Sequence, residues 1–287
     1  MTGYLISFIP LVGINVILAL ALNVVAGFCG QISLGQAAFF GVGAYCTGLL
    51  ALAGWPIWLT MPAVAVASGV AGAVVGLVSL RVKDDFLAVT TIAVNFLFLG
   101  VVRKSEFLGG ETGLADIPAP GFGPFGFAVV ILAVVALFIV MSLYLKKSWL
   151  GFGFSALAAD EAAARAIAIP VPAYKLAAFF IGSAMSGIAG FLYCYYARFI
   201  APDSFDYLLS VTILSMVVIG GIGSVAGVTA GAVLLTALPE LVRFAGDYRQ
   251  LVFGALLLLV VRFCPGGIAK MLMRVSSRER LHGGPTR

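Results

Sequence analysis

Charge is what this 287-residue chain has least of. No residue of either sign occurs before Arg81, and Asp, Glu, Lys and Arg together make up 10% of the sequence. Soluble domains carry about 25%, so an ordinary water-soluble globule is excluded. Histidine is reduced to His282, in a polar tail where it is simply solvated. Cys29, Cys46, Cys194 and Cys264 are scattered through apolar sequence without the spacing of metal ligands. Such residues act as small hydrophobes, which argues against a disulfide framework and against a metal centre. No G-x-x-x-x-G-K-[ST] loop is present to cradle phosphates, so any ATPase that serves this protein must be on another chain. No nucleophile, base and orienting residue group together as an enzyme requires. Nor does an Asp, Glu, Lys or His fall near the middle of any expected span, where proton- and sodium-coupled carriers place relays and ion ligands. What survives is a passive pore for a neutral solute, or a translocator driven by a partner.

Apolar sequence is abundant instead, at 62% hydrophobic residues and a mean hydropathy of +1.14. This composition implies an all-α, polytopic transmembrane helical bundle. Its net charge of +5 is concentrated in loops and tail, a distribution that anchors cytoplasmic loops beside lipid rather than binding nucleic acid. The uncharged start lacks the basic region of a secretory signal, so residues 1–27 are expected as a retained span. About 8–9 spans or part-spans are expected at roughly 20 residues each. They form a single transmembrane domain over residues 1–267, followed by a basic cytoplasmic tail over 268–287.

Residues 4–27 form the first expected span. Residues 27–45 then hold five glycines (Gly27, Gly30, Gly35, Gly41 and Gly43) with Gln31, Ser33 and Gln36 among them. Each glycine weakens a helix by about 1 kcal/mol relative to alanine, so this stretch is expected to be broken or re-entrant. Freed backbone groups at membrane depth are tolerated only against protein or a water-filled cavity. That makes Asn23, Gln31, Ser33, Gly35 and Gln36, with Asn95 from a later span, the candidate lining of a pathway. Spans are further expected over 60–80, with Gly72 and Gly76 spaced for close packing, and over 86–102, 127–145 and 176–196. The span 176–196 carries Gly182, Ser186 and Gly190 as a packing face, and Tyr193, Tyr195 and Tyr196 as an interfacial belt. A second glycine-rich break, 220–227, separates spans 208–220 and 224–238, and 251–262 is the last.

The longest polar interruption is 146–175, with Lys146, Lys147, Arg165 and Lys175 against Asp160 and Glu161. Its alanine-rich centre predicts one helix over 155–169, supported by a Glu161–Arg165 pair at i,i+4 and stopped by Pro170 and Pro172. Alanine buries little area but lets another surface approach closely. The positive-inside rule places this loop and the tail on the cytoplasmic side, leaving the acidic loop near Glu111 outside.

Two of these stretches resemble known sequences. Glu161 to Ile169, E-A-A-A-R-A-I-A-I, resembles the EAA loop of ABC-transporter membrane subunits, where a coupling helix docks into a groove on the ATPase. The resemblance implies an ATPase-coupling role for Asp160, Glu161, Ala162, Ala163, Arg165, Ala166 and Ile167. Glycine is usual where Ala168 stands. S-L-G-Q-A-A-F-F-G-V-G-A-Y, residues 33–45, is similar to the signature of LivM-type permeases of branched-chain amino acid ABC importers, which usually have histidine in place of Gln36. The F-A-H-G-E stretch of LivH-type subunits is absent. Further similarity lies in G-G-E-T-G-L-A-D-I-P (109–118), in A-P-D-S-F (201–205) and, imperfectly, in F-C-P-G-G (263–267).

Membership of this family implies a multi-pass permease subunit in the bacterial inner membrane, with loop 146–175 and the C-terminus cytoplasmic. Its implied partners are a LivH-type permease, two cytoplasmic ATP-binding subunits, an extracytoplasmic solute-binding protein and membrane lipid. ATP and Mg would reside on the partners, with no cofactor in this chain. The implied cargo is a branched-chain or other neutral amino acid. Urea or short-amide importers and, more distantly, ribose-type permeases share the superfamily, and a stand-alone passive channel is the reading from a different class.

Overall fold

Apolar runs fold as helices in a bilayer because each backbone amide must find its partner within its own segment. The computed structural model describes residues 2–82, 84–121, 123–241 and 254. Helix α1 (Thr2–Leu22) continues into a π-helical turn, Asn23–Phe28, and an irregular run over 29–35 leads to α2 (Gln36–Leu52). Then come α3 (Ile57–Ser79), α4 (Asp84–Lys104), a 3₁₀ turn at Glu106–Leu108 and α5 (Pro124–Lys147). Two short helices, α6 (Trp149–Ala159) and α7 (Glu161–Ala166), precede α8 (Val171–Ala197), a 3₁₀ turn at Pro202–Phe205, α9 (Tyr207–Gly220) and α10 (Val225–Leu241). Among the described residues the sole β pairing is an isolated Leu114–Ile200 bridge, which ties the loop after α4 to the end of α8.

Among the described residues six segments are long and apolar enough to cross a membrane: Phe8–Phe28, Ile57–Ser79, Phe86–Lys104, Phe125–Lys147, Val171–Ala197 and Pro202–Gly220. Helices α2, α6 and α10 are shorter apolar pieces. The chain is a polytopic helical membrane protein. Apart from residue 254, the expected last span, 251–262, and the tail, 268–287, lie outside the described residues.

Helix α8 is the hub, and small residues make it so. Its Gly182 lies against Ala21 and Val25 of α1, Gly187 against Ser68 and Val64 of α3, and Gly190 against the backbone of Phe40, Gly43 and Ala44 in α2. Gly72 and Gly76 of α3 answer with Ser183, Phe179 and Leu176. The expected packing faces on 60–80 and 176–196 thus meet each other, and close approach of backbones replaces the hydrophobic drive that lipid cannot supply.

The same contacts set directions. Helix α3 is antiparallel to α8, because Ser68 pairs with Gly187 and Gly76 with Leu176. Helix α1 is parallel to α5: Gly13 packs on Ile131 and Val135, and Lys146 Nζ stands 6.0 Å from the centre of the Phe28 ring. The start of α1 therefore lies on the face opposite Lys146, together with the 105–123 loop.

Tyr193 and Tyr195 do not form the expected belt. The Tyr193 ring packs on Phe40 at 5.3 Å and on Phe205 at 6.1 Å, and Tyr195 stacks edge-on against Phe191 at 5.2 Å. Their helix turn points them into the bundle, where Phe40, Tyr45, Phe98, Tyr193 and Phe205 form one aromatic cluster. Tyr195 is buried, and Tyr193 and Tyr196 are half-buried.

A methyl group at Gly43 would clash with the Gly187 backbone, whereas nothing lies within 4 Å of one at Gly100 in α4. Gly43→Ala should cost about 1–3 kcal/mol through overpacking, while Gly100→Ala gains up to about 1 kcal/mol from helix propensity. Thermal unfolding of the two variants in detergent checks the contrast, and equal shifts would remove the hub from the account.

Candidate functional site at the two helix breaks and the α6–α7 elbow

The first break begins where α1 relaxes into its π-helical turn, a feature that often marks functional positions. The Gln31 amide donates to the Val25 carbonyl at 3.0 Å and closes that turn. Gly30 adopts φ +75° with Ala158 of α6 so close that a methyl carbon would lie 3.0 Å from its Cα, which leaves glycine as the fitting residue. Beyond it the irregular backbone finds side-chain partners. The Leu34 amide donates to Thr91 Oγ1 at 2.9 Å, the Gly35 amide to Ser33 Oγ at 3.3 Å, and the Ala37 amide to Ser210 Oγ at 3.0 Å. The expected break over 27–45 is thus confined to 29–35, and α2 starts inside the bundle rather than at its surface.

Around the start of α2 the polar groups are all neutral. The Gln36 amide donates to Ser186 Oγ of α8. Asn95, one helical turn from Thr91 on α4, is fully buried, and neither its amide nitrogen nor its carbonyl oxygen has a partner among the described residues. A buried orphan of this kind costs about 1–3 kcal/mol, a penalty that a bound solute or water would relieve. The cluster of Phe40, Phe98 and Phe205 covers the site toward the face opposite Lys146, with Phe205 reaching it from the Pro202–Phe205 turn.

The second break follows α9, with Gly221 at φ +102° and Gly223 at φ +80°. Gly223 is held at both ends. Its amide donates to Asn23 Oδ1 at 2.8 Å, and its carbonyl accepts from Lys146 Nζ at 2.7 Å. The Asn23–Gly223–Lys146 clasp therefore joins the two breaks to the last turn of α5. Asn23, a candidate for the pathway lining, sits at this joint through its bond to the Gly223 amide.

The expected single helix over 155–169 is two helices. Asp160 leaves helical geometry at φ −163° and caps α7, accepting from the Ala162 and Ala163 amides at 2.7 and 3.1 Å. A short carboxylate at this position satisfies the new helix better than it would continue the old one. Pro170 and Pro172 do not end that helix either: Pro170 is the N-cap of α8 and Pro172 lies in its first turn. Lys175 consequently belongs to α8. Only 4% exposed, it pairs with Glu161 Oε2 at 2.7 Å, while Arg165 holds the other oxygen. Ala164 is buried, and Ala162, Ala163, Arg165, Ala166 and Ile167 face outward.

Sequence reasoning missed Thr91, Ser186 and Ser210 as partners of the break, and Lys146 and Lys175 as the ties of the elbow. Ser186 was visible only as one member of a packing stripe, and the two lysines only as loop charge. Among the described residues no cluster of three or more His, Cys, Asp or Glu is placed to hold a metal.

A broken crossing walled by neutral polar side chains inside a many-helix membrane bundle is a layout suited to a permease. The chain belongs to the family of permease components of branched-chain amino acid transport systems, whose model matches residues 4–261. It is 32% identical to the high-affinity branched-chain amino acid transport system permease protein LivM of Salmonella typhimurium, over 90% of this chain and 68% of that protein. The protein of the same name in Escherichia coli is 31% identical over the same shares. A probable branched-chain amino acid transport permease protein LivH of Methanocaldococcus jannaschii is 24% identical over 86% of this chain and 84% of its own. No solved structure matches.

Ala168 sits at φ +61°. A left-handed alanine is strained by about 1 kcal/mol, so Ala168→Gly should tighten the turn after α7. The Ile169 amide, bonded to the Ala164 carbonyl at 3.1 Å, should exchange its hydrogen roughly five-fold more slowly. An unchanged exchange rate would mean that the turn stores no strain.

Proposed function

We propose that this chain is the membrane-spanning subunit of an ATP-driven importer for branched-chain or other neutral amino acids. A LivH-type permease, two cytoplasmic ATP-binding subunits and an extracytoplasmic solute-binding protein complete the complex. The observation that carries this reading is α7: a short helix whose alanine face is open, while its single acidic side chain is tied through Lys175 to the hub helix. ATP and Mg belong to the partner ATPase, which closes on ATP and displaces α7. Glu161 passes that displacement to α8, and eleven residues further on, about 16 Å along the helix, Ser186 holds Gln36 at the break.

The face bearing Arg81, Lys146, Lys147, Arg165 and Lys175 is cytoplasmic by the positive-inside rule. The face bearing Glu106, Glu111, Asp116, Asp203 and Asp206 receives the binding protein, in the inner membrane of a bacterium. Helix α10 ends on that outer face, so a cytoplasmic tail requires one further crossing, the role expected of 251–262. Gln31, Ser33, Gly35, Gln36 and Asn95 line the pathway. The start of α2 turns the positive end of its helix dipole toward a carboxylate, and the neutral side chains around it suit a zwitterion whose charges balance internally.

Two variants test the halves separately. Ala163→Glu should put an unpaired charge into the ATPase contact and weaken ATPase binding by roughly a hundred-fold or more, with membrane insertion intact. Co-purification of the ATPase at the native level would remove the coupling role. Gln36→Leu should abolish amino acid uptake in proteoliposomes while the ATPase stays bound, and normal uptake would take the break out of the pathway.

A further inference from the structure

Helix α6 is apolar on both of its sides. Inward, Phe154 is fully buried, Leu157 is nearly so, and Gly153 lies against the ring of Tyr174. Outward, Trp149 is 83% exposed, Phe152 is 68% exposed, and Leu150 shares their side of the chain. No charged residue falls between Ser148 and Ala159. At 11 residues, about 16 Å, the helix is too short to cross a bilayer. An outward aromatic face on such a helix needs an apolar neighbour.

The neighbour is already defined one turn upstream. The outward stripe of α5 runs through Leu137, Val140, Leu143 and Tyr144, on a helix that crosses the membrane and must meet lipid there. Tyr144 at 74% exposure and Trp149 at 83% carry that stripe around the bend at Ser148, and the exposed Lys147 sits between them. An aromatic, a lysine and a second aromatic at the end of a span form the pattern of the headgroup boundary, where amphipathic rings and snorkelling lysines settle. Lys147 is complementary to anionic headgroups. The alanine face of α7, beyond the Asp160 elbow, has neither bulk nor aromatic character and is left for protein.

We propose that α6 is a membrane-surface anchor, with Trp149 and Phe152 seated among phospholipid headgroups and upper acyl chains on the Lys146 face. The α6–α7 unit is then fastened to lipid at one end and braced on α8 through Glu161 and Lys175 at the other. This inference rests only on the chain being a multi-pass membrane protein, and it stands whether or not α7 docks an ATPase.

The sequence has three tryptophans, so Trp55→Phe with Trp58→Phe leaves Trp149 as the single reporter in the full chain. The variant is reconstituted into phosphatidylcholine–phosphatidylglycerol vesicles. Lipid brominated near the headgroup should cut its emission roughly two-fold, lipid brominated near the chain end clearly less, and aqueous acrylamide little. Phe152→Trp in a background with no other tryptophan provides a second reporter should the first variant fail to fold. Emission open to acrylamide and indifferent to brominated lipid would overturn the proposal and leave the face to a protein partner. Quenching strongest from the chain end would overturn it as well, because α6 would then be buried deep in the bilayer.

Discussion

Backbone that leaves helical geometry inside a bilayer must find other partners, and residues 29–35 are where this protein meets that demand. Their amides and those just after them go to Val25, Thr91, Ser33 and Ser210, which come from four different stretches of the chain. Such a seam is tolerable only if it is walled from lipid, and the wall is α8 with α2 and α3, drawn together by glycine. The close packing of Gly43 on Gly187 and the opening of the chain at Gly30 are two sides of one requirement.

The clasp at Gly223 extends the same logic to the second break. One residue's amide and carbonyl are satisfied by side chains of two distant elements, so α1, α5 and the α9–α10 turn are tied at one point. Lys146 contributes there as a hydrogen-bond donor, and its ammonium over Phe28 adds about 0.5–1 kcal/mol at an exposed position. Lys175 plays the matching role at the far end of the polar segment through Glu161. By contrast the Arg103–Asp203 pair, with side chains 49% and 85% exposed, contributes little.

Much of this was legible in the sequence, because scarcity of charge and length of apolar runs act along the chain. The long helices, the glycine break before Gln36 and the packing faces at Gly72 and Gly182 follow from local composition. What was not legible depends on which turn of a helix faces which neighbour. Tyr193 reads as a belt residue until α8 rotates it toward Phe205, and Ser186 reads as packing until Gln36 stands opposite it. Asp160 is the instructive miss. Propensity averaged over fifteen residues favours one helix, yet a single capping carboxylate divides it.

That division changes the kind of motion the segment can deliver. An unbroken helix over 155–169 would behave as a strut, pushing along its own axis. With a joint at Asp160, the segment is a crank: a sideways push on the short arm becomes a twist at the pivot. The arm beyond it is braced on the hub helix, so rotation is the movement that the rest of the bundle would feel.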